Sequence, residues 1–319
     1  MEDQYGRSID YLRISVTDRC NLRCRYCMPT WGVNLVPCES ILRFDEILRL
    51  VKIFVHLGIR KVKITGGEPL LRKDLAVLIK AVKSVDGIEE VTLTTNGILL
   101  YEAIEDLAEA GLDGINISLD TLDRGKYLEI TGYDGLGAVL KSIDKCRSIP
   151  KLDLKINTVT LNGFNRNEIC DLAAFASNNH VKLRFIEMMP IGLGTNFKGY
   201  SQDEISTQLE GRYGNDEPVH VKAGNGPARY YRFANLKTEI GFISAMSHKF
   251  CENCNRVRLT SEGFFKPCLG SDIGVDLRRL LRTEIKDEDL SEILRNEIYL
   301  KPSGHCFKET DMSMWRIGG

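Results

Sequence analysis

The chain has 319 residues, 43% of them hydrophobic, which suits one large domain or two ordinary ones around a substantial core. Its 43 Lys and Arg are offset by 44 Asp and Glu, so no global charge points to nucleic acid or an anionic membrane. No apolar run reaches the ~20 residues of a membrane span, and any anionic ligand must be held by a local basic cluster.

Strand-like runs at 11–17, 61–65, 90–95, 114–120, 153–159 and 181–187 alternate with helix-like stretches. Four of those stretches carry apolar residues at the i, i+3, i+4, i+7 spacing of a buried stripe. They are Ile47/Leu50/Val51/Phe54, Leu75/Leu78/Ile79/Val82, Leu136/Val139/Leu140/Ile143 and Ile169/Leu172/Ala173/Ala176, with a shorter fifth near Ile104 and Leu107. Repeated strand–helix units predict parallel strands joined by right-handed crossovers. Parallel strands covered on both faces read as continuous apolar runs. These instead alternate, with Leu12, Ile14 and Val16 between Arg13, Ser15 and Thr17, and Val62 and Ile64 between Lys61, Lys63 and Thr65. Helices must cover the apolar face, so the polar face must look at something wet or charged. The expectation is an α/β fold, an incomplete (β/α)6 TIM-like barrel whose polar lumen holds a large ligand.

The loop after the first strand contains Cys20-Asn-Leu-Arg-Cys24-Arg-Tyr-Cys27. Three thiolates can hold three irons of a [4Fe–4S] cube and leave the fourth open for a ligand. Zinc is the alternative, but it needs a further ligand or a water, and the nearest histidine in sequence, His56, lies well outside the loop. Ten cysteines with no evident signal peptide favour metal or cluster ligation in a reducing cytoplasm over disulfides. Cys38, Cys146 and Cys170 read as buried or incidental thiols.

Gly66-Gly67-Glu68-Pro69 follows the second strand. Its glycines are expected to let backbone carbonyls approach a cationic amine. Thr94, Thr95 and Asn96 close the third strand, Ser118 and Asp120 the fourth, and Glu187 to Met189 follow the sixth. All these candidates fall at the carboxyl-terminal strand ends, where barrel enzymes build their sites.

From about residue 190 the strand–helix rhythm gives way to glycine-marked irregular connections, then a β-like stretch over 230–244. A second signal follows, Cys251-Glu-Asn-Cys254 with Cys268 thirteen residues further on. It fits a second three-cysteine cluster, or a zinc site completed by His248, His305 or Cys306. Arg256 and Arg258 alternate in an extended segment, so both guanidinium groups face one way, which suits a phosphate chain or a carboxylate. Arg13, Lys63 and Lys155 face the supposed lumen, where an anionic ligand, or else ion pairs with Asp153 or Glu187, must compensate them. The expected organisation is a barrel core over 1–225 and a C-terminal region over 226–319 that packs onto it.

The CxxxCxxC loop with Tyr26 before its third cysteine resembles the radical S-adenosylmethionine superfamily. Its pairing with CxxC-x13-C resembles, more narrowly, the GTP 3′,8-cyclase family of molybdenum-cofactor synthesis. So do Thr-Gly-Gly-Glu-Pro at 65, Thr-Thr-Asn-Gly at 94, Asn-Ile-Ser-Leu-Asp at 116, Arg-Phe-Ile-Glu at 184 and the final Gly-Gly. The resemblance covers about residues 5–319. It implies a [4Fe–4S] cluster on Cys20, Cys24 and Cys27 that binds and cleaves S-adenosylmethionine. Tyr26, Gly67, Ser118 and Met189 match positions around that cofactor. It implies a second [4Fe–4S] cluster on Cys251, Cys254 and Cys268 whose open iron meets the guanine of GTP. Arg13, Lys63, Thr94, Lys155, Arg256, Val257 and Arg258 match GTP-binding positions, and Gly318 and Gly319 match a tail with a catalytic role.

The implied reaction abstracts the ribose C3′ hydrogen, joins that carbon to guanine C8 and reduces the resulting radical to 3′,8-cyclo-7,8-dihydro-GTP. An external electron donor, transfer of the product to cyclic pyranopterin monophosphate synthase, a cytoplasmic location and a homodimer belong to the same expectation. Neither nucleic acid nor membrane is an expected partner. One departure is Lys63, where the family usually has arginine; a point-charge contact replaces a bidentate one there. A peptide-modifying radical enzyme and a zinc-stabilised binding module are the competing readings.

Overall fold

The structure is a computed structural model that describes residues 1–219, 225–305, 307 and 313–318. Its parallel wall consists of β1 (Tyr11–Ser15), β2 (Lys61–Thr65), β3 (Glu90–Thr95), β4 (Gly114–Ser118), β5 (Asp153–Val159) and β6 (Lys182–Ile186), each paired with the next. The connecting helices are α1 (Phe44–His56), α2 (Leu75–Lys83), α3 (Leu100–Glu109), α4 (Arg124–Thr131), α5 (Leu136–Arg147) and α6 (Ile169–Asn178). Five of the six follow the apolar stripes read from the sequence. In α1 the stripe residues Ile47, Leu50, Val51 and Phe54 are all buried, each worth roughly 1.5–3 kcal/mol of transfer free energy. The sixth, α4, carries no such stripe and is started by Asp123, whose carboxylate accepts from Lys126 N.

Alternation along the strands sorts the two faces as expected. Leu12, Ile14, Val62, Ile64, Leu93, Ile115, Ile156 and Leu183 are buried under the helices. On the other face Arg13 stands beside Lys63 on β2, Thr94 beside Asn116, and Asn116 beside Lys155.

Past residue 190 the chain is more regular than its glycines suggest. Helix α7 (Gln202–Tyr213) begins at a capping box, in which Ser201 Oγ accepts from Glu204 N and the Glu204 carboxylate accepts from Ser201 N. Strands β7 (Asp216–Val219), β8 (Arg229–Phe233) and β9 (Ile240–Ile243) form an antiparallel run, and β9 then lies parallel to β6. On the far side β10 (Arg256–Leu259) lies parallel to β1, followed antiparallel by β11 (Phe264–Lys266) and β12 (Val275–Asp276). Helices α8 (Leu277–Leu281), α9 (Asp287–Tyr299) and α10 (Met314–Ile317) complete the described chain.

Among the described residues twelve strands thus form one sheet, in the order β12-β11-β10-β1-β2-β3-β4-β5-β6-β9-β8-β7. The two ends of that order do not pair, so this is an open, incomplete barrel, and strands from both sides of residue 225 build it. No described helix is long and apolar enough to cross a membrane.

Candidate active site

The loop after β1 carries Cys20, Cys24 and Cys27 into a cavity of about 310 Å³. The loop is held tightly. Arg23 N and Arg25 N donate to the Thr131 and Ile130 carbonyls of α4, and Cys27 N donates to the Cys24 carbonyl at 2.8 Å. The Gly66-Gly67 turn lies directly against it, with Gly67 N on the Thr17 carbonyl and Glu68 N on the Arg19 carbonyl, both at 2.7 Å. A Cβ at Gly67 would sit 2.4 Å from the Arg19 carbonyl oxygen. The glycines are therefore required for the approach of two loops, whatever ligand they also admit. Glu68 is buried and accepts from Leu70 N, Thr95 Oγ1 and Asn96 N, so it stitches the ends of β2 and β3 together. Burial raises its pKa to about 7.

The three thiols share a setting that resists ionisation. Burial, and then the neighbouring Cys20, pushes Cys27 up to about 12. Cys24 is raised well above a free thiol by burial, Cys27, Asp120 and Cys20, and Cys20 by burial and Glu68. Such thiols become thiolates only against a strongly positive centre. Tyr26 donates its hydroxyl to Asp120 Oδ2 at 2.6 Å, and Asp120 also accepts from Val159 N. Burial raises Asp120 to about 6 and drives Tyr26 well above its usual value.

The second triad lines the same cavity. Cys254 N donates to the Cys251 carbonyl, and Cys254 leads straight into β10. Its surroundings are cationic. Burial would raise Cys254, but Arg256 and Lys301 outweigh it and bring the thiol down to about 6. A hydrogen bond with His305 lowers Cys251. His305 Nε2 faces the Ala245 carbonyl at 2.8 Å, and its ring stacks on Phe307. His248 instead meets Asp203 at 3.0 Å, and Cys306 lies outside the described residues.

The donor sets fit iron–sulfur cubes. Each triad brings three thiols to one cavity wall. Among the described residues no three His, Cys, Asp or Glu groups converge as tightly as a single metal ion requires. A cube spreads its thiolates more widely than a zinc tetrahedron does. In the lining of the same cavity, buried Asn157 Oδ1 has no hydrogen-bond partner among the described residues, which suits a polar ligand.

The cavity wall is rich in cations. Arg13, Lys63, Arg184, Arg256 and Arg258 all line it. Burial, then Arg13, Arg184 and Lys155, draws Lys63 well below an ordinary lysine. Burial, then Arg13 and Arg256, does the same to Arg258. Tyr26, Gly67, Thr94, Ser118 and Met189 line the cavity too.

Two of the sequence candidates stand elsewhere. Lys155 is buried outside the lining with its ammonium on Asp153, the ion pair weighed at the outset; burial, Arg184 and Lys182 lower its pKa to about 7. Val257 alternates to the helix-covered face and is 0% exposed, so its side chain cannot reach a ligand in the lumen. Gly318 reaches the wall by its backbone, its carbonyl accepting from Arg258 Nη1 at 2.8 Å. It has φ of +87°, and a Cβ there would sit 2.7 Å from Thr65 Cγ2, so glycine is needed. Gly319 lies outside the described residues.

Several cavity residues had been given no role from the sequence. Arg184 donates to Tyr230 Oη at 2.5 Å and to Asn116 Oδ1 at 3.3 Å. Its alternation on β6 matches that of the other inward cations, so the signal for it was present. Nothing local marked Phe250 or Lys301.

An open barrel with a three-cysteine loop behind its first strand and a glycine turn behind its second defines a radical S-adenosylmethionine protein. The profile of the Radical SAM superfamily matches residues 14–176, and that of Molybdenum Cofactor Synthesis C matches residues 181–307. Among solved structures, Streptococcus suis SuiB bound to S-adenosylmethionine shares the fold with a TM-score of 0.64 at 18% identity, over 92% of this chain and 67% of that one. Far more similar in sequence are the GTP 3′,8-cyclase of Clostridium perfringens (strain 13 / Type A), 48% identical over 100% of both chains, and that of Thermodesulfovibrio yellowstonii, 43% identical over 95% of both. The chain belongs to the GTP 3′,8-cyclase family.

Proposed function

We infer that the protein is a radical S-adenosylmethionine lyase that converts GTP to (8S)-3′,8-cyclo-7,8-dihydroguanosine 5′-triphosphate, the first step of molybdenum cofactor biosynthesis. It uses S-adenosylmethionine and two [4Fe–4S] clusters. The observation that carries this reading is the cationic wall of the cavity that both cysteine triads line. Arg13, Lys63, Arg184, Arg256 and Arg258 crowd one another in a buried cavity, and a polyanion such as a triphosphate relieves that repulsion.

Cys20, Cys24 and Cys27 would hold the first cluster and Cys251, Cys254 and Cys268 the second. When bound, the first cluster supplies the electron that splits the sulfonium of S-adenosylmethionine. The chain's own residues bind and orient. Tyr26, Gly67, Ser118 and Met189 are proposed to line the cofactor. Arg13, Lys63, Thr94, Arg256 and Arg258 are proposed to hold GTP, with Lys155 behind them. Val257 would contribute backbone alone. The Gly318 carbonyl, on Arg258, would stand at the substrate's edge, and Gly318 and Gly319 are proposed to act in catalysis. The two triads on either side of residue 225 support a functional division into 1–225 and 226–319. An external electron donor, delivery of product to cyclic pyranopterin monophosphate synthase, a homodimer and a cytoplasmic location complete the proposal.

The test is anaerobic reconstitution with iron and sulfide of the wild type and a Cys251/Cys254/Cys268→Ala variant, then incubation with S-adenosylmethionine, dithionite and GTP. The expected result is about eight irons per chain in the wild type and four in the variant, with GTP-dependent 5′-deoxyadenosine from the wild type alone. Four irons in both, with cofactor cleavage indifferent to GTP, would overturn the substrate assignment.

A further inference from the structure

Two buried cations that this chemistry does not use lie behind the second triad. Lys301 is 1% exposed, and its Nζ donates to the Arg256 carbonyl at 2.8 Å and the Pro267 carbonyl at 2.5 Å. Arg256 lies two residues after Cys254, and Pro267 immediately precedes Cys268. Arg7 is 6% exposed and paired with Asp3 at 2.6 Å. Its guanidinium donates to the carbonyls of Cys251, Lys301, Pro302 and Ser303. Each cysteine of the triad is thus tied, at its own position or within two residues, to a buried cation. The two cations are joined through the Lys301 carbonyl.

The partners of Lys301 are unusual for a lysine. Among the described residues no carboxylate pairs with it. Burial draws its pKa below that of an exposed lysine, while Cys254 and Cys268 oppose that shift. A buried ammonium held only by neutral carbonyls is costly unless an anion stands nearby. The anions available are the two thiolates and whatever they carry. Lys301 also lines the cavity that Cys251, Cys254 and Cys268 line, and being almost wholly buried it is poorly screened by solvent.

We propose that Lys301 is a positioning residue of the second triad. Its fixed positive charge holds the Cys254 and Cys268 segments together and favours the more reduced, more negative form of the cluster they carry, while Arg7 clamps Cys251. This rests on the reading of Cys251, Cys254 and Cys268 as cluster ligands. A lysine serving only as a backbone strut would move stability and leave the potential alone.

The experiment is an anaerobic, spectroscopically monitored redox titration of the reconstituted full chain as wild type, Lys301→Met and Lys301→Arg, with iron counted in each. In Lys301→Met the reduced-to-oxidised ratio of the second cluster at fixed potential should fall about tenfold, equivalent to about 59 mV for one electron. The first cluster should not move, and Lys301→Arg should stay near wild type. A Lys301→Met protein with full iron and an unchanged second potential would overturn the proposal. If Lys301→Met loses the second cluster, its retention in Lys301→Arg supports the proposal and its loss there overturns it. A wild type with only one cluster would instead sink the underlying reading, and the proposal with it.

Discussion

Cys20, Cys24 and Cys27 lie near Glu68 and Asp120, two buried carboxyls, whereas Cys251, Cys254 and Cys268 lie among Arg256, Lys301 and His305. The two triads have the same donors and line the same cavity, yet their surroundings push Cys20, Cys24 and Cys27 up and Cys251 and Cys254 down. Cys27 rises to about 12, and Cys254 falls to about 6. Net charge and hydrogen bonding around the sulfurs set a cluster's potential. Acidic, buried surroundings disfavour an added electron and so make a stronger reductant, as cleavage of a sulfonium demands. Cationic surroundings favour negative charge, as binding of an anionic nucleotide demands. The lesson is that ligand spacing alone does not assign a cluster its work; the charges one shell further out do.

Single-cysteine variants test that division most severely. Cys24→Ala should abolish cleavage of S-adenosylmethionine, while Cys254→Ala should keep cleavage in dithionite and lose its dependence on GTP. Product analysis for 5′-deoxyadenosine reads both, and loss of cleavage in Cys254→Ala would erase the distinction between the triads. The next effect is expected in the cluster-free protein at pH 7.5. A thiol at about 6 is mostly thiolate there, and one at about 12 is almost wholly protonated. Iodoacetamide should therefore label Cys254 on the order of a hundredfold faster than Cys27, and the Cys254 rate should drop as pH falls through 6. Equal rates, followed by peptide mapping, would show that the surroundings do not differ as described.

Substitutions in the cationic wall sharpen the contrast. Arg258→Ala removes a charge-assisted donor worth roughly 1.5–3 kcal/mol, so GTP affinity by calorimetry should fall by about ten- to a hundredfold. Binding of S-adenosylmethionine should change little, because that ligand is assigned to the other triad; parallel losses in both would contradict the assignment. Lys63→Arg should give the smallest change. A bidentate guanidinium in place of a point charge should tighten GTP about threefold or less. A large loss would mean that the buried position of Lys63 has no room for the wider head group.

Much of the barrel was legible because strand alternation and helix stripes are local signals. The six parallel strands and five of their helices appeared within a few residues of their observed limits. Helix α4 was not legible, since Arg-Gly-Lys-Tyr-Leu-Glu-Ile-Thr holds a glycine and has no apolar stripe. Helices α7 and α9 did leave marks, the Ser201/Glu204 box and the Leu290/Leu294/Ile298 spacing, which glycines nearby and a charged first turn obscured. The two cysteine triads that meet in the cavity, and most of its inward cations, were readable from spacing and alternation. Val257 was assigned by resemblance and Lys155 by strand alternation as well as resemblance; the pleat and an ion pair with Asp153 explain why neither side chain meets the cavity. Arg7 and Lys301 could not be found, because the backbone carbonyls that tie them to the second triad lie far away in sequence.

The pairing of β1 with β10 has a consequence for how the chain is made. Asn255 donates to Asp10 across the start of that pairing, a separation of 245 residues. At about 5–20 residues per second, a ribosome needs roughly 12–50 s to cover that distance. For that interval the nascent chain holds β1 with one edge unpaired, the kind of edge that invites association with another chain. The loop of Cys20, Cys24 and Cys27 has by then long emerged, so its thiols meet solvent before the wall that later encloses them exists. A chain broken off before β10 would keep both the open edge and the uncovered loop, which makes it a natural substrate for chaperones and proteases.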